Sequence, residues 1–239
     1  MQLRYLGDSH DYLKFALLRH LHPMLKVRVG INWYLTDPEE NRDGEQRHHM
    51  TGRNWGKLDA PLFEMLKPFQ KLEHRSLPNF EASGIFSEGT LYYSVNLPDT
   101  NLRRAWQNQA TATLAEAELV FLDPDNGFEV PSMSNRTQAK YALFKEAAEF
   151  ARRGQIVVGI QFARQCDPVA RARSVRQNLT ENFPDCAGIP VIRCRVSPNI
   201  LFLLLAPKDR LAGVIDALES FEAKSPIHKK NQRRVELIT

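Results

Sequence analysis

The residues Asp123-Pro124-Asp125-Asn126-Gly127 put two carboxylates and a carboxamide within four positions. A fixed carboxylate can hold water and stabilise developing positive charge, as hydrolysis of a glycosidic bond through an oxocarbenium-like state requires. A carboxamide beside it can orient that water or the edge of a base. Asp123, Asp125 and Asn126 are therefore the candidate catalytic residues. The same residue types also make turns: Pro124 fixes φ, and Asn126 and Gly127 tolerate positive φ. A turn alone does not call for two acids. Acids this close also raise one another's pKa, so one of the two is expected to hold a proton at neutral pH.

The element that must position them is the run Leu119-Val120-Phe121-Leu122, four apolar residues that read as a strand buried on both faces. In open parallel α/β sheets, ligands sit beyond the carboxyl ends of the strands. Gln155 to Phe162 reads as a second buried strand, with Gln161 and Arg164 at its carboxyl end. Lys26 to Leu35 reads as the first strand and carries Asn32, Trp33 and Tyr34. Gln161 and Arg164 are candidates to bind a base or a flanking phosphate. Trp33 or Tyr34, next to Asn32, is a candidate to stack on a flipped base, although Trp33, Tyr34 and Trp106 equally suit core packing.

Helical spacing of Tyr12, Phe15, Ala16 and Leu18 predicts a helix over Asp8 to Met24, capped by Asp8 or Ser9. Asp11 and Lys14, three apart on it, read as a simple surface pair. Thr36 to Gly44 is an acidic loop with no resemblance to a Gly-rich phosphate cradle. His48 and His49 read as loop residues rather than a metal pair, since helical chelation wants i,i+4 spacing. Further helices are expected over Pro61 to Leu72, Leu102 to Ala117, Asn135 to Arg153, Asp167 to Asn182 and Lys208 to Phe221. A strand is expected at Thr90 to Val95. Pro190 to Arg195 and Asn199 to Leu205 read as an antiparallel hairpin. The expected fold is α/β, a mostly parallel central sheet flanked by helices in a three-layer sandwich, closed by that C-terminal hairpin. Residues 1–239 are expected to form one domain, with 36–93 an insertion or lid and 224–239 a loose basic tail.

A net charge of +4 and a pI near 9.0 admit an anionic partner. Between Arg152 and Arg176 the only acid, Asp167, faces six arginines. Arg152, Arg153, Arg171, Arg173 and Arg176, with Lys229 and Lys230 in the tail, are candidate nucleic-acid contacts, most simply to DNA. No apolar run reaches the roughly 18–20 residues of a membrane span, and no signal peptide is evident, so a cytoplasmic protein is expected. Cys166, Cys186 and Cys194 form no CxxC pair, so neither a disulfide framework nor a metal site is expected.

Two resemblances bear on function. Gly7-Asp8-Ser9-His10-Asp11-Tyr12-Leu13-Lys14 is similar to the Gly-Asn-x-x-Asp-x-x-Lys element of class I methyltransferases that modify adenine N6 in ribosomal RNA. Their Asp-Pro-Pro-Tyr motif stands where this chain has Asp123-Pro124-Asp125-Asn126. That likeness implies S-adenosylmethionine, but the loop Leu35 to Gly44 lacks the Gly-rich cradle and Asp-Asn replaces Pro-Tyr. The second resemblance, carried by Asn32-Trp33-Tyr34-Leu35 and Phe121 to Gly127, is to prokaryotic proteins linked with anti-phage DNA glycosylases acting on modified cytosine. A looser parallel connects the Asp-Pro after a buried strand with uracil-DNA glycosylases. Their His-Pro-Ser-Pro motif has only Val196-Ser197-Pro198-Asn199 as its counterpart, without the histidine. These resemblances imply a cofactor-independent DNA glycosylase that removes a modified base, with hypermodified cytosine in phage DNA as the implied target. An adenine-N6 methyltransferase using S-adenosylmethionine is the alternative enzyme, and a non-catalytic nucleic-acid-binding module the alternative from another class.

Overall fold

The computed structural model describes residues 1–38, 47–52, 54–98, 100–229 and 232–239. Helix α1 (Ser9–Leu25) leads into strand β1 (Val29–Asn32). The short helices α2 (His48–Thr51), α3 (Ala60–Met65) and α4 (Leu77–Glu81) precede β2 (Leu91–Tyr93), helix α5 (Arg103–Thr113) and β3 (Leu119–Leu122). Next come β4 (Gly127–Phe128), β5 (Tyr141–Ala142), α6 (Phe144–Arg152), β6 (Ile156–Ala163) and α7 (Pro168–Asn182). The chain finishes with β7 (Val191–Cys194), β8 (Asn199–Leu205), α8 (Leu211–Ala223), β9 (Ile227–Lys229), β10 (Gln232–Arg233) and β11 (Val235–Ile238).

The main sheet runs in the order β11-β7-β8-β6-β3-β1-β2. Strands β2, β1, β3 and β6 are parallel, as the unbroken apolar run of β3 predicts. From β6 onward every pairing is antiparallel: β6 with β8, β8 with β7, and β7 with β11. The sheet is therefore mixed rather than mostly parallel. The hairpin makes β7 and β8 antiparallel to each other, and β8 rather than β7 lies beside β6 while β11 returns against β7. Helix α1 packs on α8, and α6 packs on α7, with α6 against β6, α7 against β8 and α8 against β11.

Other expectations change with the structure. The described end of the chain, 232–239, is not a loose tail, because β11 completes the sheet edge against β7 and buries Val235. The helix expected from Asn135 begins only at Phe144, since Tyr141–Ala142 pairs with β4 instead. Glu146 fixes that start by accepting the Leu143 N–H at 2.9 Å. His49 is no loop residue either. It lies in α2, fully buried, with Nδ1 3.1 Å from Ser9 Oγ and its ring stacked on Tyr12.

Two glycines let the Asp-Pro-Asp-Asn turn lie close to β6. Gly127 has φ +104°, and a Cβ there would stand 2.8 Å from both Gln161 Cα and Ile160 O. Gly159 leaves room for the Phe128 ring, which would lie 2.3 Å from an added Cβ. Gly127→Ala is expected to destabilise the protein by about 2 kcal/mol or more, as left-handed strain adds to overpacking against backbone. Urea unfolding beside Gly154→Ala checks this, because Gly154 also has positive φ (+86°) but open space around it.

Candidate active site beyond the parallel strands

Strand β3 hands over to Asp123, whose N–H donates to Asn32 O on β1 at 3.0 Å. This extends the β1–β3 pairing by one residue and leaves the Asp123 side chain fully buried at the carboxyl edge of the sheet. The start of α1 comes to the same place. Asp8 caps that helix, accepting the N–H groups of His10 and Asp11 at 2.8 and 2.9 Å. One turn later, Lys14 Nζ lies 2.9 Å from Asp11 Oδ1 and 2.8 Å from Asp123 Oδ1. The Gly7 N–H donates to the other Asp11 oxygen at 3.0 Å. Asp11 and Lys14 are thus not a surface pair but two members of a buried Asp–Lys–Asp cluster.

Charge holds Asp123 Oδ1 beside the ammonium without an aligned hydrogen bond, and Oδ2 has no hydrogen-bond partner among the described residues. An ionisable oxygen left open in the interior is costly unless something fills its place. Asp123 lines a cavity of about 540 Å³, within the range of small-molecule sites. Asp8, Asp11 and Lys14 line it from α1, Asp125 and Asn126 from the turn, and Phe162 and Arg164 from the end of β6. Ser197 and Pro198, which precede β8, close another side.

The acids of this cavity differ. Burial raises the Asp11 carboxyl to about 7, reinforced by the charges of Asp8 and Asp123 and opposed by Lys14. Burial also acts against Lys14, but the flanking acids Asp11, Asp123 and Asp8 overcome it and hold the ammonium above its ordinary value. Asp8 is lowered: burial pushes it up, while His10, Lys14 and the Asp11 N–H more than offset that. Asp125 is also lowered despite burial, by the Met1 amino group at 3.2 Å, by Thr36 donating at 2.6 Å and by Gln2. The carboxyl raised toward neutrality is therefore Asp11, and Asp125 is not the raised member of the pair read from the sequence.

The expected substrate-binding residues separate into two layers. Arg164 lines the cavity beside the expected catalytic Asn126, a guanidinium nitrogen donating to Asn126 Oδ1 at 3.3 Å. Gln161 stands behind them: its Oε1 accepts the Phe128 N–H at 3.0 Å and its Nε2 donates to Asn126 O at 3.4 Å. Asn32, Trp33 and Tyr34 are fully buried and do not line the cavity. Trp33 packs against Phe15, Phe80 and Tyr92. Tyr34 packs edge-on to Trp106 and donates to Glu146, which also binds Arg103. They are core residues in this structure, so neither is placed to stack on a ligand. The rings that do line the cavity are Tyr5, His10 and Phe162.

The arginine-rich stretch is also divided. Arg152 ends α6 and Arg153 follows it, at the amino end of β6 and away from the cavity; Arg152 donates to Asn182 O at the far end of α7 at 2.8 Å. Helix α7 starts near the cavity and carries Arg171 and Arg176 half-buried and Arg173 exposed. None of Arg152, Arg153, Arg171, Arg173 and Arg176 lines the cavity. Lys230 and the side chain of Lys229 lie outside the described residues.

The described residues after β1 are tied to the amino terminus and to the segment after β2. The Met1 amino group donates to Tyr34 O, the Thr36 N–H donates to Met1 O at 3.2 Å, and Leu35 pairs with Asn96. Glu39 to Gly44, the rest of the loop read as a failed cradle, lies outside the described residues. Among the described residues no group of His, Cys, Asp and Glu is arranged to hold a metal ion, and no helix is long and apolar enough to cross a membrane.

Because the folded protein holds a proton on Asp11 that the unfolded chain releases near pH 4, stability should fall as pH rises from about 4 to about 7. Asp8 and Asp125, whose values are lowered, act in the opposite sense below that window, and the Met1 amino group, lowered by burial, acts in the opposite sense as pH rises toward 8. Asp11→Asn is expected to remove roughly 2–4 kcal/mol of this slope, measured by denaturant unfolding at pH 5 and pH 8. Comparison with known protein families and with curated proteins gives no match, so the geometry of the cavity carries the functional argument.

Proposed function

We propose that the protein is a nucleic-acid base-processing hydrolase, a DNA glycosylase that cleaves the N-glycosidic bond of a modified base drawn into this cavity. The observation that carries the reading is Asp123: a fully buried carboxylate at the carboxyl end of a parallel strand, in a residue that lines the cavity, pinned on one oxygen by Lys14 and without a hydrogen-bond partner on the other among the described residues. Such a group holds a water molecule on Oδ2 and faces the positive charge that builds at the anomeric carbon. Water attacks that carbon, the C–N bond breaks, and its electron pair leaves with the base. The water proton passes to Asp123, and Lys14, set between the two acids, links Asp123 to Asp11, the neighbour able to exchange a proton near pH 7.

A duplex substrate must have its target base flipped out of the stack to reach so enclosed a site. The positive charge of the chain and the exposed Arg164 beside the cavity favour an anionic polymer as the source of that base. The sequence resemblance supplies the finer reading of hypermodified cytosine in phage DNA, with defence against phage as the setting. A methyltransferase would need its cofactor near the end of β1, where Met1 and Leu35 already engage the described backbone.

The test is mass-spectrometric detection of free bases after incubation with unmodified DNA and with heavily modified phage DNA, without added cofactor. Wild-type protein should release a base, and Asp123→Asn should slow release by about 10²–10⁴-fold. No released base from any substrate would end this reading. Transfer of a labelled methyl group from S-adenosylmethionine would then point to the methyltransferase. Salt-sensitive binding with no product would point to a binding module.

A further inference from the structure

Three features at the end of β6 form a slot. Phe162 lines the cavity with a half-exposed ring, and His10 meets that ring edge-on at 5.1 Å with an interplanar angle of 85°. His10 is itself held, its Nε2 standing 3.0 Å from Pro198 O. Over the ring lies the guanidinium of Arg164, 5.0 Å from the centroid. That same guanidinium donates to Asn126 Oδ1 at 3.3 Å. The Asn126 backbone is fixed from two sides, its N–H donating to Lys140 O at 2.8 Å and its carbonyl accepting from Gln161 at 3.4 Å. The carboxamide is therefore presented from a rigid frame.

A guanidinium is planar, delocalised and edged with N–H donors. So is the amino-bearing edge of a nucleobase. Arg164 occupies the place where a planar ring with an N–H edge would lie on Phe162 and donate to Asn126. Unlike Phe162 and Asn126, it is exposed, and it sits on the loop just past β6 rather than in the sheet.

We infer that Phe162 and Asn126 form the recognition subsite for an amino-bearing heterocycle, and that Arg164 is a gate that fills this subsite until such a ring displaces it. The inference rests on the cavity being a nucleobase site, but not on the bond that is broken there. Phe162 supplies the stacking face and Asn126 Oδ1 accepts from the exocyclic amino group. The displaced guanidinium is then free to meet a flanking phosphate. This selects bases that carry an amino group, of the cytosine or adenine type, over bases that present a carbonyl at that edge, which would face the Asn126 oxygen unpaired.

The test is equilibrium binding of 2-aminopurine riboside, whose fluorescence falls on stacking, with cytidine and uridine as competitors. Arg164→Ala should bind the probe more tightly than wild type, by about tenfold if the gate is open one-tenth of the time. Phe162→Leu should weaken binding by roughly 10- to 100-fold, while Phe162→Tyr, which keeps the ring, should not. Cytidine should compete better than uridine, and Asn126→Asp should narrow that difference less than Asn126→Leu. Thermal melting of each variant separates loss of binding from loss of fold, and the exposed Arg164 can be replaced without touching the core. Weaker probe binding by Arg164→Ala, unchanged binding by Phe162→Leu, or no binding by any protein would each overturn the inference. Base release from DNA with Phe162→Leu fully active would leave the glycosylase reading standing and sink this one. The expected binding pattern without base release would do the reverse.

Discussion

One ammonium shared by two buried carboxylates organises the cavity. Removing such charges from water carries a desolvation cost of several kcal/mol per ion, offset only when the geometry between them is close. Lys14 meets that condition by standing within 3 Å of an oxygen on each of Asp11 and Asp123. Its position ties the start of α1 to the end of β3, elements more than a hundred residues apart in sequence. The tie explains why the start of α1 is so heavily anchored, with Asp8 as its cap and the Gly7 N–H on Asp11. A buried ion pair is weak evidence for stability, and here it leaves Asp123 Oδ2 without a hydrogen-bond partner among the described residues. That combination is better suited to chemistry than to holding a fold together.

Part of this was legible in the sequence. An unbroken apolar run breaking into Asp-Pro-Asp-Asn-Gly marks the end of a buried strand, and the structure puts that end on the cavity. The role of Lys14 was not read, because i,i+3 spacing says only that Asp11 and Lys14 are neighbours and not which way they face. A signal was available: Tyr12, Leu13, Phe15, Ala16, Leu17 and Leu18 surround the helix with apolar groups, so little of its surface is left for solvent. A lysine and an aspartate inside such a helix must be buried and must find partners.

The aromatic and basic residues were misplaced for a different reason. Trp33 and Tyr34 follow a strand, and their composition does not say whether the chain next turns inward or outward. Tyr34 takes φ +45°, a sparsely used conformation, and its hydroxyl finds Glu146 in the core. The arginines from Arg152 to Arg176 look like a patch because they are close in sequence. The eight residues of β6 separate its two ends, so Arg153 and Arg164 flank the same strand at opposite edges of the sheet. The antiparallel β7–β8 pair was read from the sequence, but that β8 rather than β7 lies against β6 was equally hidden, since β8 is apolar from Ile200 to Leu205 whichever way it runs.

That placement of β8 also shapes the wall of the cavity. In a purely parallel sheet each neighbouring strand would bring a loop leading onward into a crossover helix, and changing that loop would disturb the helix. Here the neighbour of β6 runs the other way, so its side of the cavity is the short hairpin turn ending at Ser197 and Pro198. Both ends of this turn are secured by strand pairing, and the buried charges lie on other elements. The turn can therefore lengthen, shorten or change its side chains while Asp123 and Lys14 stay in place. Within one fold, the shape of this cavity wall and the buried charges behind it are held by separate parts of the chain.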